Sequence, residues 1–379
     1  MSLNTIKIID AIRKAPDGLS KKELASATGL PWGTLFKAAG ELTARNVLFT
    51  RLSRSKAPGR PSIPLLLNPG AAFFCGMDIG ALTTKILFCD LNFRISFQQT
   101  FPTERYSGKE RFIAWLDELF CNTLKNSGVD KEKLAGVGMA VSGNVDAGDG
   151  VIVSGGNFGM KYGENIRLDI LAEHWNTSVY AITTMSAASA AEFHFGQYAH
   201  SLNLVTIGLG VGIGSGVVAN GQLLISHPRR PVGYIGHMLI PGNTSRCTCG
   251  FRGCLESYSG GEYLKKIAAD KLPHRPELQD AMMLDRAAAN GDVDAIEIMS
   301  TAAEYNAVGI AGMVQLYAPD AMIFSGGQSK SGGFLYNSTL EKLRQILPEE
   351  RRNFDISITT LGEFQSALGA ARLAYERFF

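Results

Sequence analysis

The first 70 residues carry short apolar stripes at helical spacing, separated by polar punctuation. Ile6, Ile9, Ala11 and Ile12 form one face of a first helix. Ser20 and Glu23 make a capping box ahead of Leu24 and Ala27, and Gly29 marks the stop. A third helix begins near Pro31 and turns Leu35, Ala38, Ala39 and Leu42 inward. Val47–Leu52 and Ile63–Leu67 then read as strands joined by Ser-Arg-Ser-Lys-Ala-Pro-Gly-Arg-Pro. The order is helix, helix, helix, hairpin.

From Phe74 the texture changes. FFCGMDIG and KILFCDLN are apolar strands around a glycine-containing turn, followed by a helix at about 109–125 and a strand near 134–143. Residues 144–164 are loop-rich. A helix near 168–175, the strand SVYAIT and an Ala-rich helix from Ser186 come next. LVTIGLG at 204–210 opens a second strand-turn-strand, 257–318 is mainly helical, and MIFSGGQ is a strand ending in a glycine pair. A helix, the short strand ISIT and a final helix from about Glu363 close the chain. This rhythm predicts two α/β lobes behind a small head, with the head at 1–70 and the lobes in 71–379.

Composition supports buried cores: 379 residues, 45% hydrophobic and 19% charged. The formal charge of +2 hides a division, because residues 1–64 hold eleven Lys/Arg against four Asp/Glu, a balance of +7. A basic head on a mildly acidic body points the head toward a polyanion. The start MSLNTIKIIDAIRKA is amphipathic and lacks the apolar centre of a leader. Ser201–Pro228 has no Asp, Glu, Lys or Arg, but its glycines at 208, 210, 212, 214 and 216 read as a buried hairpin rather than a membrane span. Cys75, Cys89 and Cys121 read as small core side chains, and nothing asks for an oxidising compartment, so a cytoplasmic protein is expected.

In a helix-turn-helix the second helix enters the major groove by its N-terminal end. Thr34 and Lys37 are the polar groups available there, and Lys21 and Lys22 suit phosphate positioning. The loop with Arg51, Arg54, Lys56 and Arg60 reads as a wing, with Pro58-Gly59-Arg60-Pro61 stiff enough to place a guanidinium in a narrow minor groove. An ordinary basic hairpin tip is the plainer alternative.

His237-x9-Cys247-x-Cys249-x4-Cys254 offers one imidazole and three thiolates, a closed donor set for one structural Zn²⁺ per chain. Gly242, Gly250 and Gly253 allow the loop at 237–254 to turn tightly enough for convergence. A redox pair is the rival reading.

GHM…CTCGFRGCLES, the hairpin VTIGLGVGIGSGVVANG, the DIG turn and SGGQ together resemble the ROK family of repressors, open reading frames and kinases, over essentially the whole chain. With its N-terminal winged helix-turn-helix, the chain resembles the family's repressor branch. The resemblance implies a two-lobed, actin-like and hexokinase-like α/β fold of the ribonuclease H-like type, its lobes at about 71–185 (with a return of the C-terminal helix) and about 186–365. It also implies a repressor of carbohydrate uptake or catabolism genes that binds operator DNA as a homo-dimer or tetramer. A sugar or sugar-derivative effector would bind between the lobes, at Asn157, Thr183, Thr184, Tyr234, His237 and Glu256.

The family's kinase chemistry does not carry over residue by residue. Where similar kinases place the catalytic Asp of an Asn-Asp-Ala-Asn run, this chain has Thr184, whose hydroxyl is no base near neutral pH. The hydroxyl expected after Asp78-Ile79-Gly80-Ala81 falls on Leu82, and Gly-Thr-Gly becomes Gly210-Val211-Gly212. The expectation is no catalytic residue and no enzyme activity. Tyr234 replaces a Glu of the sugar site, so the expected ligand is changed; His237 serves both zinc and ligand, and zinc positions Glu256. Two alternatives stay open. One is an ATP-dependent sugar kinase with a fused DNA-binding head; the other is a regulator controlled by a protein partner, such as a transport component. No membrane insertion is expected.

Overall fold

A computed structural model describes residues 3–50, 63–104, 108–155, 164–225, 232–329 and 333–379. The head holds α1 (Leu3–Arg13), α2 (Lys21–Thr28), α3 (Trp32–Ala44), β1 (Leu48–Thr50) and β2 (Leu65–Leu67). The capping box forms: the Glu23 amide donates to Ser20 Oγ at 3.2 Å, and the Ser20 amide donates to the Glu23 carboxylate at 2.8 Å. Gly29 ends α2 at φ 65, a left-handed position suited to glycine. Ile8, Ile9, Ile12, Leu24, Leu35, Ala39 and Leu42 are buried and make the head's core. β1 and β2 pair antiparallel with Leu48 opposite Leu67. β2 begins two residues later than the apolar run suggested. The wing residues Arg51, Arg54, Lys56 and Arg60 lie outside the described residues.

The body groups into two units. The first contains the head, the chain to Met139, Gly150–Ala181 and Ala370–Phe379. Its strands β3 (Phe73–Ile79), β4 (Thr83–Asp90) and β5 (Ile95–Pro102) form an antiparallel meander, with α4 (Lys109–Ser127) following. Then come β6 (Leu134–Val141), β7 (Asn144–Asp146), β8 (Val151–Ser154), β9 (Ile166–Arg167), α5 (Leu168–Trp175) and β10 (Val179–Thr183). The stretch expected as loop therefore carries short strands. The five-stranded order is β10-β6-β3-β4-β5. Trp175 of α5 stacks on Phe120 of α4 with ring centroids 4.2 Å apart. Cys75 and Cys89 are buried as expected, but Cys121 is exposed, because α4 buries the stripe Phe112, Leu116, Leu119, Phe120 and Thr123 and position 121 falls off it.

The second unit holds Ala140–Asp149 and Ile182–Gly369. It runs α6 (Thr184–Phe195), β11 (Leu204–Leu209), β12 (Ile213–Ala219), β13 (Gln222–Leu223), α7 (Glu256–Ser259), α8 (Gly261–Lys271), α9 (Ala281–Ala289) and α10 (Val293–Tyr317). β14 (Ala321–Ser325), α11 (Phe334–Ile346), β15 (Asp355–Ile358) and α12 (Gln365–Phe378) complete it, α12 finishing in the first unit. The sheet order is β13-β12-β11-β14-β15, with β11, β14 and β15 parallel. Alternate side chains of β11 serve opposite faces: Val205, Ile207 and Leu209 join α10 and α11 in one core, while Leu204 joins Val218 and Ile323 against Phe193 of α6. Burial on both faces explains why these strands read as continuous apolar runs. Among the described residues, no helix is long and apolar enough to cross a membrane.

Candidate metal centre, effector site and DNA-facing head

The loop between β13 and α7 folds back on itself through two bridges, Leu239 with Cys254 and Arg246 with Arg252. Gly253, at φ 85, gives its carbonyl to the Ile240 amide at 2.8 Å, and a Cβ there would lie 2.5 Å from the Asn243 carbonyl oxygen. The Asn243 amide donates to the Cys254 carbonyl at 2.8 Å, while its oxygen accepts from the Ser245 amide at 3.0 Å. Tyr263 accepts from the Thr248 amide at 2.8 Å. Asn243 and Tyr263 are supports that spacing alone did not single out.

These constraints bring His237, Cys247, Cys249 and Cys254 together, with all donor atoms within 4.8 Å of one another. Cys249 Sγ lies 3.6 Å from Cys254 Sγ, and Cys247 Sγ lies 3.7 Å from His237 Nδ1. A tetrahedral ion with Zn–S of about 2.3 Å and Zn–N of about 2.0–2.1 Å has S···S edges near about 3.8 Å and S···N edges near about 3.6 Å. The donor chemistry suits zinc, and the Cys249–Cys254 and Cys247–His237 edges match such an ion. Burial, together with the neighbouring thiols, pushes the Cys254 thiol up, and burial raises Cys247 as well. A divalent cation would oppose both shifts by favouring the thiolates.

Tyr234 and His237 lie on one short turn with ring centroids 5.5 Å apart. The Tyr234 hydroxyl donates to the Gly143 carbonyl at 3.3 Å, and burial pushes its pKa up to about 12. Its proton is therefore engaged, leaving the ring face and an oxygen lone pair for a ligand. Glu256, the first residue of α7, accepts the Ile213 amide on Oε2 at 2.7 Å. The carboxylate thus ties the end of the Cys loop to the Gly210–Gly212 turn. A Cβ at Gly212 would come 2.5 Å from Glu256 Oε2.

Thr183 caps α6: its hydroxyl accepts the Ser186 amide at 3.3 Å and donates to Ser186 Oγ at 2.9 Å. Thr184 is the first helical residue. α6 reaches the same hairpin through Met185, whose carbonyl oxygen would be 2.0 Å from a Cβ at Gly216. Gly208 and Gly214 likewise face the Met185 side chain. The glycine run is therefore a bed for a helix, a role visible only once α6 is in place. Asn157 lies outside the described residues, as do Arg229 and Arg230. Arg167 is turned onto Asp169 at 2.9 Å.

At the kinase-type turns, Asp78 ends up buried near the end of β3, and Leu82 is 64% exposed where a hydroxyl would be wanted. The amide of Gly210 donates to the Gly212 carbonyl at 3.0 Å. Gly261 and Glu262 at the start of α8 donate to the Gly210 and Val211 carbonyls at 2.9 and 3.2 Å.

In the head, Lys37 is exposed on α3, Thr34 is half-buried, and Lys22 is exposed at the start of α2. Lys21 lies with Nζ 3.4 Å from the centroid of the Phe36 ring, a contact the charge pattern did not reveal.

A two-unit α/β body, a His/Cys₃ loop and a winged-helix head define the class. The chain belongs to the ROK family, whose profile matches residues 74–377. It is 29% identical over 316 residues to a glucokinase of Thermotoga maritima, covering 80% of this chain and 97% of that one. It is 24% identical over 367 residues to the xylose repressor of Bacillus spizizenii, covering 95% of this chain and 92% of the repressor. The crystal structure of a ROK family transcriptional regulator, a homolog of the E. coli MLC protein, superposes with a TM-score of 0.80 at 21% identity, over 99% of this chain and 97% of that one. The fold is thus the ROK fold of actin-like sugar kinases with a winged head, and the chain resembles the repressor branch over nearly its full length.

Proposed function

We propose that this chain is a cytoplasmic DNA-binding regulator, a repressor of carbohydrate uptake or catabolism genes, controlled by a sugar or sugar derivative. The observation that carries this reading is the 367-residue similarity to a xylose repressor, too long to fit within the family's 74–377 stretch and so including head sequence. The glucokinase similarity, at 80% of the chain, leaves room for a body without such a head. Lys21, Lys22, Thr34, Lys37, Arg51, Arg54, Lys56 and Arg60 serve DNA, and a dimer or tetramer presents paired heads to a two-fold operator.

The effector residues are Asn157, Thr183, Thr184, Tyr234, His237 and Glu256. Tyr234 gives an apolar face to a C–H surface of the ligand, and Glu256 retains Oε1 for a hydroxyl. A structural zinc held by His237, Cys247, Cys249 and Cys254 fixes the loop that leads into Glu256; His237 uses Nδ1 for the metal and keeps Nε2 for the ligand. Thr184 in place of a carboxylate base, Val211 in place of a hydroxyl and the internally bonded Gly210–Gly212 turn argue against phosphoryl transfer.

A kinase with a fused head is the second reading, favoured by the higher identity to the glucokinase. The two separate in one set of measurements on the full chain. The regulator binds duplex DNA, shifts its melting temperature with a sugar or sugar phosphate, and releases DNA in that sugar. Turnover of ATP with any hexose would replace the proposal by the kinase. Ligand-insensitive DNA binding with a tight protein partner would replace the effector.

A further inference from the structure

Among the exposed large apolar side chains of the head (Leu3, Trp32, Phe36, Phe49 and Ile63), Trp32 and Phe36 form an aromatic pair on one helix. Trp32 is 53% exposed and Phe36 is 49% exposed, although both lie in a small domain with a well-filled core. They sit one turn apart on α3, ring centroids 6.0 Å from each other, on a flank bordering the buried stripe of Leu35, Ala38, Ala39 and Leu42. Lys21 of α2 lies over the Phe36 ring, fixing its orientation and placing an ammonium beside the aromatic pair.

The adjoining outward side of α3 carries Gly33 and Gly40 next to Lys37. A Cβ added at either glycine would meet nothing within 4 Å, so packing inside the chain does not require them. Each costs helix stability relative to alanine. An exposed aromatic pair beside a bare backbone, bordered by Lys21 and Lys37 within a head of charge +7, matches one occupant: a polyanion with apolar groups displayed between its charges.

Duplex DNA is that occupant, and its major groove presents a single apolar group, the C5-methyl of thymine. We infer that Phe36, supported by Trp32, reads thymine methyl groups in the major groove and is the main sequence-specifying contact of α3, with Lys21 and Lys37 holding the flanking phosphates. This rests on the DNA-binding reading above and adds to it what kind of base edge is recognised. Thr34 is left as a minor contact, since it is half-buried.

The experiment starts from a random-sequence duplex pool selected with the full-length protein. Each thymine of the enriched duplex is then replaced by uracil, which removes only the methyl group. Wild type is expected to lose about four-fold in affinity at one or more thymines, the equivalent of about 0.8 kcal/mol for one buried methyl-sized group. Phe36→Ala should bind the thymine and uracil duplexes within about 1.5-fold of each other, since the buried methyl contact is gone. Phe36→Leu, which keeps an apolar side chain, should retain part of the preference. Melting curves of the variants check that the head remains folded. Tight selected binding that ignores every uracil replacement overturns the inference and leaves the DNA reading standing. So does a Phe36→Ala variant that keeps the thymine preference but changes oligomeric state, which assigns the face to protein contact. If no duplex is enriched at all, the DNA reading itself falls, and this inference with it.

Discussion

Single residues in this chain show how little a composition says before neighbours are known. Gly216 and Gly40 are alike in sequence terms, yet a methyl at Gly216 would sit 2.0 Å from the Met185 carbonyl and 2.8 Å from Ser189 Cβ, while one at Gly40 meets nothing. Gly216→Ala should therefore cost about 1–3 kcal/mol through overpacking, whereas Gly40→Ala should gain about 1 kcal/mol of helix propensity. Urea unfolding of the two variants reads both signs. The thiols give the second prediction at this scale. Purified protein should contain one zinc per chain, and Cys254→Ser should lose the metal and lower the melting temperature. Metal-free protein of unchanged stability would remove the ion from the account.

The most informative element is α12, whose end clamps α1 of the head within the first unit. Arg372, with its side chain 4% exposed, forks onto Asp10 with Nη1 to Oδ1 at 2.9 Å and Nη2 to Oδ2 at 2.7 Å, and its Nε donates to Glu376 at 2.8 Å. Tyr375 donates to the same carboxylate at 3.1 Å. Arg13 also hydrogen-bonds Asp10, donates to the Leu91 carbonyl at 2.9 Å and lies over the Phe93 and Tyr375 rings. Arg372→Ala removes the fork from a carboxylate that keeps Arg13 and Tyr375, so it should cost about 1.5–3 kcal/mol, the range of hydrogen bonds to a charged group. Reduced DNA binding by the same variant would extend that loss to the placement of the head.

Asp10 adds a pH signature to that contact. Burial by itself would raise its carboxyl, but the hydrogen bonds and charge of Arg372, joined by Arg13, outweigh burial and hold it at about 2. A carboxyl lowered in the folded state stabilises above its unfolded value of 3.8, and that contribution fades as pH falls toward 2. The shift corresponds to about 2 kcal/mol at neutral pH. In urea titrations from pH 6 to pH 3, the advantage of wild type over Asp10→Asn should hold to about pH 5 and shrink below it as the unfolded carboxyl takes up its proton. An advantage that stays constant would show that the ion pair does not titrate in this range.

For the whole molecule, charge separation decides the expected behaviour toward DNA. A head of +7 on an acidic body should bind duplex with a steep salt dependence, and replacing Lys22 or Lys37 with Ala should reduce the slope of log affinity against log salt by about one each. A slope unchanged in both variants would remove these lysines from the phosphate contacts.

Much of this molecule was legible in the chain itself because the relevant physics is local. The capping box at Ser20 and Glu23, the stop at Gly29, the inward stripe of α3 and the ligand-spaced cysteines each depend on residues a few positions apart, and the structure places them as the pattern implies. The missing hydroxyl at Val211 was legible for the same reason. Other features needed the fold. Nothing near Gly216 announces Met185, nothing near Asp10 announces Arg372, and the engagement of Tyr234 with Gly143 joins positions 91 residues apart. Exposure is the clearest case: Cys75, Cys89 and Cys121 all read as small core side chains, and only the packing of α4, which buries Phe112, Leu116, Leu119, Phe120 and Thr123, decides that Cys121 is left exposed. Pattern fixes what a segment can become, since backbone bonding and periodicity are short-ranged; partners distant in sequence decide what each side chain touches, since burial is a property of the assembled chain.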